Sequence, residues 1–286
     1  MIRFAGVVIL FNPSLKFIDN IKSYINQVET LFVLDNSELP TLEFVNEIKE
    51  FKNVHYKWNG GNVGIANALN IGVKLAIEQK YDFLLMMDQD SILSENVIVE
   101  SIKYITNHSS QNVGILYPYH IYGNYHRQKE VAPFKELLTA DTSGSVLNLK
   151  AFNKVGPFME KLFIDYVDFE YCLRLRLNGF KIIQLNNITL YQELGNMVTK
   201  RILFWKVGIS NHSPQRIYYR VRNRLFVSLK YFRYFPLWSI KQMAYLWIEF
   251  GKIVLFEDNK ILKCKMILKG VMHFLSNNYA ITMIES

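Results

Sequence analysis

The stretch Tyr81 to Ser91, YDFLLMMDQDS, decides the fold. Phe83 to Met87 is an apolar run that no polar residue interrupts, and it stops abruptly at two acids, Asp88 and Asp90, separated by Gln89. Its length and unbroken apolarity predict a short core strand buried on both faces. Asp88 and Asp90 then stand where that strand leaves the sheet, the edge at which open α/β sheets place their ligands. An acid–x–acid corner there offers oxygen ligands to Mg²⁺ or Mn²⁺, a cation that would be shared with substrate phosphates. The plainer reading is that Asp ends strands because it forms turns well. The rest of the chain decides between the two.

Three similar units come before it. Phe4 to Phe11 predicts a strand closed by Asn12-Pro13-Ser14, and Leu15 to Val28 follows with helical apolar spacing. Thr30 to Leu34 is a second strand ending at Asp35-Asn36-Ser37, with a helix over Leu42 to Phe51 after it. Val54 to Trp58 is a third, leading into NGGNVGIANALNIGVKLAIEQK. Strands separated by helices of this length imply right-handed crossovers and a parallel, doubly wound sheet. Its carboxyl edge would carry Asn12, Asp35, the Asn59 to Gly64 loop with Asn62, and Asp88 and Asp90. Asp35 can accept from a nucleobase N–H, or simply turn the chain. NGGNVG brings a helix N-terminus toward an anion. Its glycines, at 60, 61 and 64, do not match GxGxxG, and no Lys-Ser/Thr follows, which disfavours a dinucleotide or NTPase site.

Downstream the alternation weakens. A helix is predicted over Ser94 to Thr106, a strand over Val113 to Tyr117, and irregular or hairpin-like structure over His120 to Pro133. Asp141-Thr142-Ser143-Gly144-Ser145 then precedes a strand at Val146 to Leu149. A second acidic cluster, Asp165, Asp168 and Glu170, opens a helix that ends at Asn178-Gly179. Acids suit a helix's first turn, and Asp165 with Asp168 makes a carboxylate version of a capping box. Capping accounts for one or two acids and less well for three among aromatic residues.

Composition bounds the reading. The 286 residues, half hydrophobic and a fifth charged, suffice for one large α/β domain or a smaller one with an appendage. The net charge of +8 points to an anionic partner, although no nucleic-acid-binding module is recognisable. Cys172 and Cys264, far apart and without CxxC spacing, indicate neither zinc nor a disulfide framework and suit a reducing, cytosolic setting. The N-terminal MIRFAGVVILFNPS lacks a small-residue cleavage site and reads as the first strand.

Two carboxylate clusters suit transfer of a sugar from a nucleotide diphosphate, which needs a cation at the leaving group and a base at the acceptor hydroxyl. VVILFNP, FVLDNS, NGGNVGIANALNIG, MMDQDS, TSGS and FIDYVDFEYCLRLRLNGF, in this order, resemble the inverting GT-A glycosyltransferases of family two, above all its bacterial rhamnosyltransferases. The resemblance runs from residue 3 to about residue 227, where NHSPQRIYYRVRNRLFV is also similar. It implies a metal-dependent enzyme of the GT-A fold, with dTDP-β-L-rhamnose as donor and an α-L-rhamnoside as product. It implies that Asn12, Asp35, Asn62 and Asp88 meet the nucleotide sugar and that Asp90 binds Mg²⁺ or Mn²⁺. Asp168 matches the family's general base, with Glu170 and Asp165 in support, and Thr142, Ser143 and Gly144 would lie by the acceptor. Arg220 or Arg224 would face the diphosphate. The chain departs from the pattern at LYQELG, where Gln192 stands in place of a histidine that often ligates the metal. An amide oxygen can ligate Mg²⁺ or Mn²⁺ but is neutral and harder than imidazole. His212 is the nearest downstream substitute, and a lone histidine is by default a plain core or surface residue.

The C-terminal third has helical spacing over Tyr218 to Phe235, Leu237 to Phe256 and Leu262 to Phe274. Lys241, Glu249 and Lys252 interrupt the most apolar of these, which argues against a spanning helix. Its basic, aromatic face suits an anionic membrane surface or a homodimer contact. The expectation is therefore an α/β GT-A domain over residues 1–215, with a nucleotide half to about 110 and an acceptor half beyond it. A helical extension would occupy 216–286. The enzyme would act in the cytoplasm or at the inner membrane face in bacterial surface-polysaccharide synthesis, on a saccharide or polyprenyl-diphosphate-linked acceptor. The rivals are another donor, UDP-glucose or UDP-galactose, and a non-catalytic glycan- or nucleotide-binding subunit.

Overall fold

A computed structural model describes residues 2–108, 112–122, 132–192, 198–202, 205–209 and 211–279. The chain divides into two compact units, Met1–Glu160 with Tyr171–Glu193, and Lys161–Glu170 with Leu194–Ser286.

The first unit is a mixed α/β layer structure. Its first half alternates β1 (Phe4–Leu10), α1 (Lys16–Ile25), β2 (Thr30–Asp35), α2 (Leu42–Lys49), β3 (Val54–Trp58), α3 (Ile65–Glu78) and β4 (Phe83–Asp88). β1, β2 and β4 are buried almost throughout, because they run side by side in the middle of the sheet between layers of helix. The register Leu10↔Asp35 and Ile9↔Asp88 sets the polar strand ends on one edge, in the parallel order β3-β2-β1-β4. Gly72 lets α3 lie close on this sheet: a Cβ there would stand 2.7 Å from Val7 Cγ2.

The second half changes direction. β5 (Ser91–Leu93), α4 (Val97–His108), β6 (Val113–Tyr122), β7 (Phe134–Leu137), β8 (Ser145–Asn148), α5 (Leu149–Val155) and β9 (Lys181–Gln192) follow. The strand order continues as β8-β6-β9-β5, with β8 antiparallel to β4 and β6, and with β7 on β9. The sheet is thus parallel from β3 to β4 and mixed beyond β4. The helix expected from Ser94 begins at Val97, because Ser91–Leu93 first pairs with Leu190, Tyr191 and Gln192. Leu149, expected in a strand, instead opens α5, since Asn148 Oδ1 accepts from the Lys150 and Ala151 N–H groups and caps the helix. In the stretch expected to be irregular, β6 runs on to Tyr122 and β7 starts at Phe134; residues 123–131 lie outside the described ones.

The second unit contains the first turn of α6 (Val167–Leu177), the hairpin of β10 (Val198–Ile202) and β11 (Trp205–Ile209), and α7 (Pro214–Tyr231), α8 (Pro236–Phe256) and α9 (Lys260–Leu275). Ser213 Oγ accepts from the Arg216 N–H and Pro214 occupies the first turn, so α7 starts before the expected boundary at 215/216. Ile217, Val221 and Ile253 form its apolar centre, with Leu246, Ile267 and Val271 packed against them. Among the described residues no helix is long and apolar enough to cross a membrane.

Candidate active site

The DQD corner is built by its middle residue. Gln89 Oε1 accepts from the Phe11 N–H at 2.9 Å and its Nε2 donates to the Phe11 carbonyl at 3.1 Å, extending the β1–β4 pairing by one side chain. Asn20 Nδ2 holds the Gln89 carbonyl at 3.0 Å. From the other side, Ser143 Oγ accepts the Asp88 N–H at 3.2 Å and donates to Ser91 Oγ at 2.8 Å, and Ser91 donates on to Asp90 Oδ1. Gly144, at φ +76°, gives its N–H to the Met86 carbonyl at 2.8 Å. A Cβ there would sit 2.6 Å from Pro118 and Leu190 atoms, so only glycine allows this approach. The Thr142-Ser143-Gly144 turn, expected beside the acceptor, is thereby packed onto the acidic corner itself. The Ser91↔Gln192 pairing brings Gln192 there too, its Nε2 donating to Asp90 Oδ1 at 3.2 Å.

This donor set fits a hard divalent cation. Asp88, Asp90 and Gln192 offer carboxylate and amide oxygens, and Mg²⁺ typically takes one or two carboxylates together with substrate phosphates rather than a full protein cage. Among the described residues no group of three or more His, Cys, Asp or Glu side chains could hold a metal alone. Below the corner, the Tyr24 hydroxyl is buried without a hydrogen-bond partner; its pKa is raised well above the ordinary tyrosine value, first by burial and then by the charges of Asp88 and Asp90. A bound cation would require Gln192 to turn its amide oxygen toward Asp90, a rotation that exchanges two near-isosteric atoms.

The nucleotide edge is more internally bonded than the sequence suggests. Asp35 is 0% exposed: Oδ1 accepts from the Ser37 N–H at 2.8 Å and Oδ2 from the Tyr56 hydroxyl at 2.7 Å. Burial, then the Asp35 hydrogen bond, pushes the Tyr56 pKa up and keeps that hydroxyl a donor. Asp35 therefore ties the Ser37 turn to Tyr56 instead of meeting solvent. Asn12, at φ +47°, donates its N–H to Ser37 Oγ, and Asn62 Oδ1 accepts from the Gly64 N–H at the head of α3. Half-exposed at the same edge, Trp58 is oriented by Nε1–H donation to the Ser37 carbonyl at 2.9 Å. Sequence reasoning placed Trp58 only as a strand end; an exposed aromatic residue closing a strand was the available signal.

The three acids of the second unit separate by partner. Asp165, at φ +58°, forms a two-pronged ion pair with Arg216, at 3.2 Å from both Nε and Nη2. Glu170 is fully buried, accepting from Lys230 Nζ at 2.7 Å and the Tyr231 hydroxyl at 2.8 Å. Both supporting roles expected of them give way to structural ones, because their oxygens are committed to neighbours. Asp168 is half-buried in the first turn of α6, with Oδ1 accepting from the Phe169 N–H at 2.8 Å. The arginines expected to face the diphosphate pair within their own unit. Arg224 is buried between the Tyr166 hydroxyl and Glu249, and Arg220 pairs with Glu249 at 3.4 Å. His212 lies among cations: burial, then Arg216 and Arg220, lowers its pKa to about 4.

A cluster that sequence reasoning passed over adjoins Ser143. Tyr122 and Tyr117 hydroxyls donate to Asp141 Oδ2 at 2.9 and 3.2 Å, His120 Nδ1 lies 3.1 Å from the Tyr122 hydroxyl, and Nε2 lies 3.0 Å from the Ser143 carbonyl. Burial lowers the His120 pKa to about 4 against the raising effects of Asp141 and Ser143, so the imidazole is neutral near pH 7. Nε2 then carries the proton toward Ser143, and the cluster braces the turn that holds Asp88.

Comparison with known proteins shows the family and the fold. The model of Glycosyl transferase family 2 matches residues 7–163, more than half of the chain, and the protein belongs to that family. It is 29% identical over 276 residues to the dTDP-rhamnosyl transferase RfbF of Shigella flexneri, covering 90% of both chains. To the low-salt glycan biosynthesis hexosyltransferase Agl10 of Haloferax volcanii it is 24% identical over 242 residues, covering 78% of this chain and 75% of the other. Among solved structures, S. aureus TarS 1-349 superposes with a TM-score of 0.60 at 14% identity, over 97% of this chain and 82% of that one. GalNAc-T7, solved with UDP, GalNAc and Mn²⁺, gives 0.59 at 15% identity, over 78% and 47%. The fold is that of the GT-A glycosyltransferases.

Proposed function

We propose that this family 2 glycosyltransferase moves L-rhamnose from dTDP-β-L-rhamnose to a saccharide or lipid-linked saccharide hydroxyl, with inversion. The observation that carries the donor is the near end-to-end likeness to a dTDP-rhamnosyl transferase. Asp88 and Asp90, fixed by Gln89, Ser91 and Ser143, hold the donor's diphosphate side, with Gln192 beside them. Mg²⁺ or Mn²⁺ bound by these oxygens would neutralise the departing diphosphate. Asp168 takes the proton of the acceptor hydroxyl as its oxygen bonds to the anomeric carbon. The bond from that carbon to the diphosphate oxygen breaks, and dTDP leaves. Trp58 offers a flat apolar face for the base, and Asn12 and Asn62 line the same edge. The setting would be surface-polysaccharide assembly on the cytoplasmic side of a bacterial membrane.

A donor screen with dTDP-rhamnose, UDP-glucose and UDP-galactose, with Mg²⁺, Mn²⁺ or chelator, tests this by nucleoside-diphosphate release. Release from dTDP-rhamnose alone is the expected result. Preference for a UDP-sugar would move the assignment to that donor. Metal-independent binding of a nucleotide sugar without turnover on any acceptor would favour a binding subunit, the reading that Gln192 motivates.

A further inference from the structure

We propose that the outward face of α8 and α9 docks on an anionic lipid bilayer. The helix α8 is inside out. Three of its polar side chains point inward: Gln242 accepts from the Tyr166 hydroxyl at 2.8 Å, Glu249 pairs with Arg220 and Arg224, and Ser239 is buried. Its outward positions are apolar, with Leu237 83% and Trp247 74% exposed and Ile240, Ile248 and Leu255 more than half exposed. Spaced three, seven or eight residues apart, they fall on one stripe along a helix of about 30 Å. On α9, Ile261, Leu268, Met272 and Leu275 repeat the pattern. Monomeric soluble domains rarely leave such continuous apolar stripes in water.

Charge selects the occupant. Residues 1–210 hold 21 Lys and Arg against 21 Asp and Glu, whereas residues 211–286 hold 12 against 4, so the whole net charge of +8 belongs to this segment. The segment is both richer in basic residues, 12 in 76 against 21 in 210, and poorer in acids, 4 against 21. Two of the four acids are turned inward together with the cations they meet, Glu249 with Arg220 and Arg224 and Glu257 with buried Lys263 at 2.8 Å, so these pairs add little to the outward charge. Lys241, Lys260 and Lys265 are exposed beside the apolar stripes, with Asp258 the one exposed acid among the described residues of α7 to α9 and their connections. Apolar side chains sink into the acyl boundary while lysines meet anionic headgroups. A second copy of the chain would set one cationic face against another. The surface stands independently of the transferase reading.

The test is co-sedimentation of the full chain with phosphatidylcholine vesicles and with phosphatidylcholine–phosphatidylglycerol vesicles, at low and high salt. Binding is expected to the anionic vesicles and to weaken with salt. Trp247→Ser with Ile248→Ser should lower the partition constant by roughly tenfold or more. Lys241→Glu with Lys265→Glu should lower it by at least about tenfold, each cation being worth about fivefold. Circular dichroism melts matching wild type would show that both variants fold. Absent binding to anionic vesicles at low salt overturns the proposal, as does binding that neither variant changes. A stable dimer in analytical ultracentrifugation that the Trp247/Ile248 variant dissociates would assign the face to a second copy instead.

Discussion

Substituting Asn223 by Ala should loosen the segment that carries Asp168. Phe163, Asp165 and Tyr166 have φ of +63°, +58° and +67°, a left-handed region that costs non-glycine residues roughly 1–2 kcal/mol each. Something must hold this backbone in place. The Asn223 amide does so: Nδ2 donates to the Leu162 and Ile164 carbonyls at 2.7 Å and to the Asp165 carbonyl at 3.0 Å, one N–H being shared. Its Oδ1 accepts from Arg222, which in turn donates to the Lys161 carbonyl at 2.8 Å. Two lost N–H donors at about 1 kcal/mol each, plus carbonyls left without a partner, put the loss at about 2–4 kcal/mol. If it falls on local opening, amide exchange over residues 162–170 should accelerate by roughly 30- to 1000-fold, which mass spectrometry of the exchanged protein resolves. Turnover should fall by about a hundredfold with donor KM little changed, as expected for a misplaced base. Unchanged exchange over 162–170 alongside a general loss of stability would refute the clamp.

Four further outcomes follow from the same contacts. Glu170→Gln should cost about 2–3 kcal/mol of unfolding free energy in urea titration, because Lys230 and Tyr231 lose a buried carboxylate. Gly144→Ala should destabilise by about 3 kcal/mol or more, a Cβ at 2.6 Å from two side chains having nowhere to go at positive φ; a melting temperature equal to wild type would contradict this. Gln192→His should tighten Mn²⁺ binding measured by calorimetry, imidazole being the softer ligand, and an unchanged affinity would remove this position from the metal shell. His120 titrates near 4 when folded and near 6.5 when unfolded, so its contribution is complete above pH 6.5 and is lost as pH falls toward 4. His120→Gln should flatten the pH dependence of stability across that window.

The nucleotide half was legible because central parallel strands make unbroken apolar runs, and a polar residue ending such a run marks the sheet edge. Phe83 to Met87 with Asp88 and Asp90 is the clearest case. β5 escaped notice because three residues, Ser91 to Leu93, carry no periodicity, yet that strand is what brings Gln192 to Asp90. The acids at 165, 168 and 170 were visible as a cluster but not separable, since Arg216, Lys230 and Tyr231 come from about 50 to 60 residues away. The enclosure of Asp35 was hidden for the same reason: Tyr56, its partner, belongs to another strand. The inversion of α8 was equally hidden, because the sequence shows where apolar and charged residues lie on a helix but not which face meets the protein.

Asp168→Asn tests the central claim most directly, with donor binding by calorimetry and transfer by nucleoside-diphosphate release measured on the same preparation. Loss of the base should lower transfer by roughly 10²–10⁴-fold while donor affinity stays within a few fold. Transfer by the Asn variant at close to the wild-type rate would show that another group takes the proton, and the division of labour between Asp90 and Asp168 would fall with it.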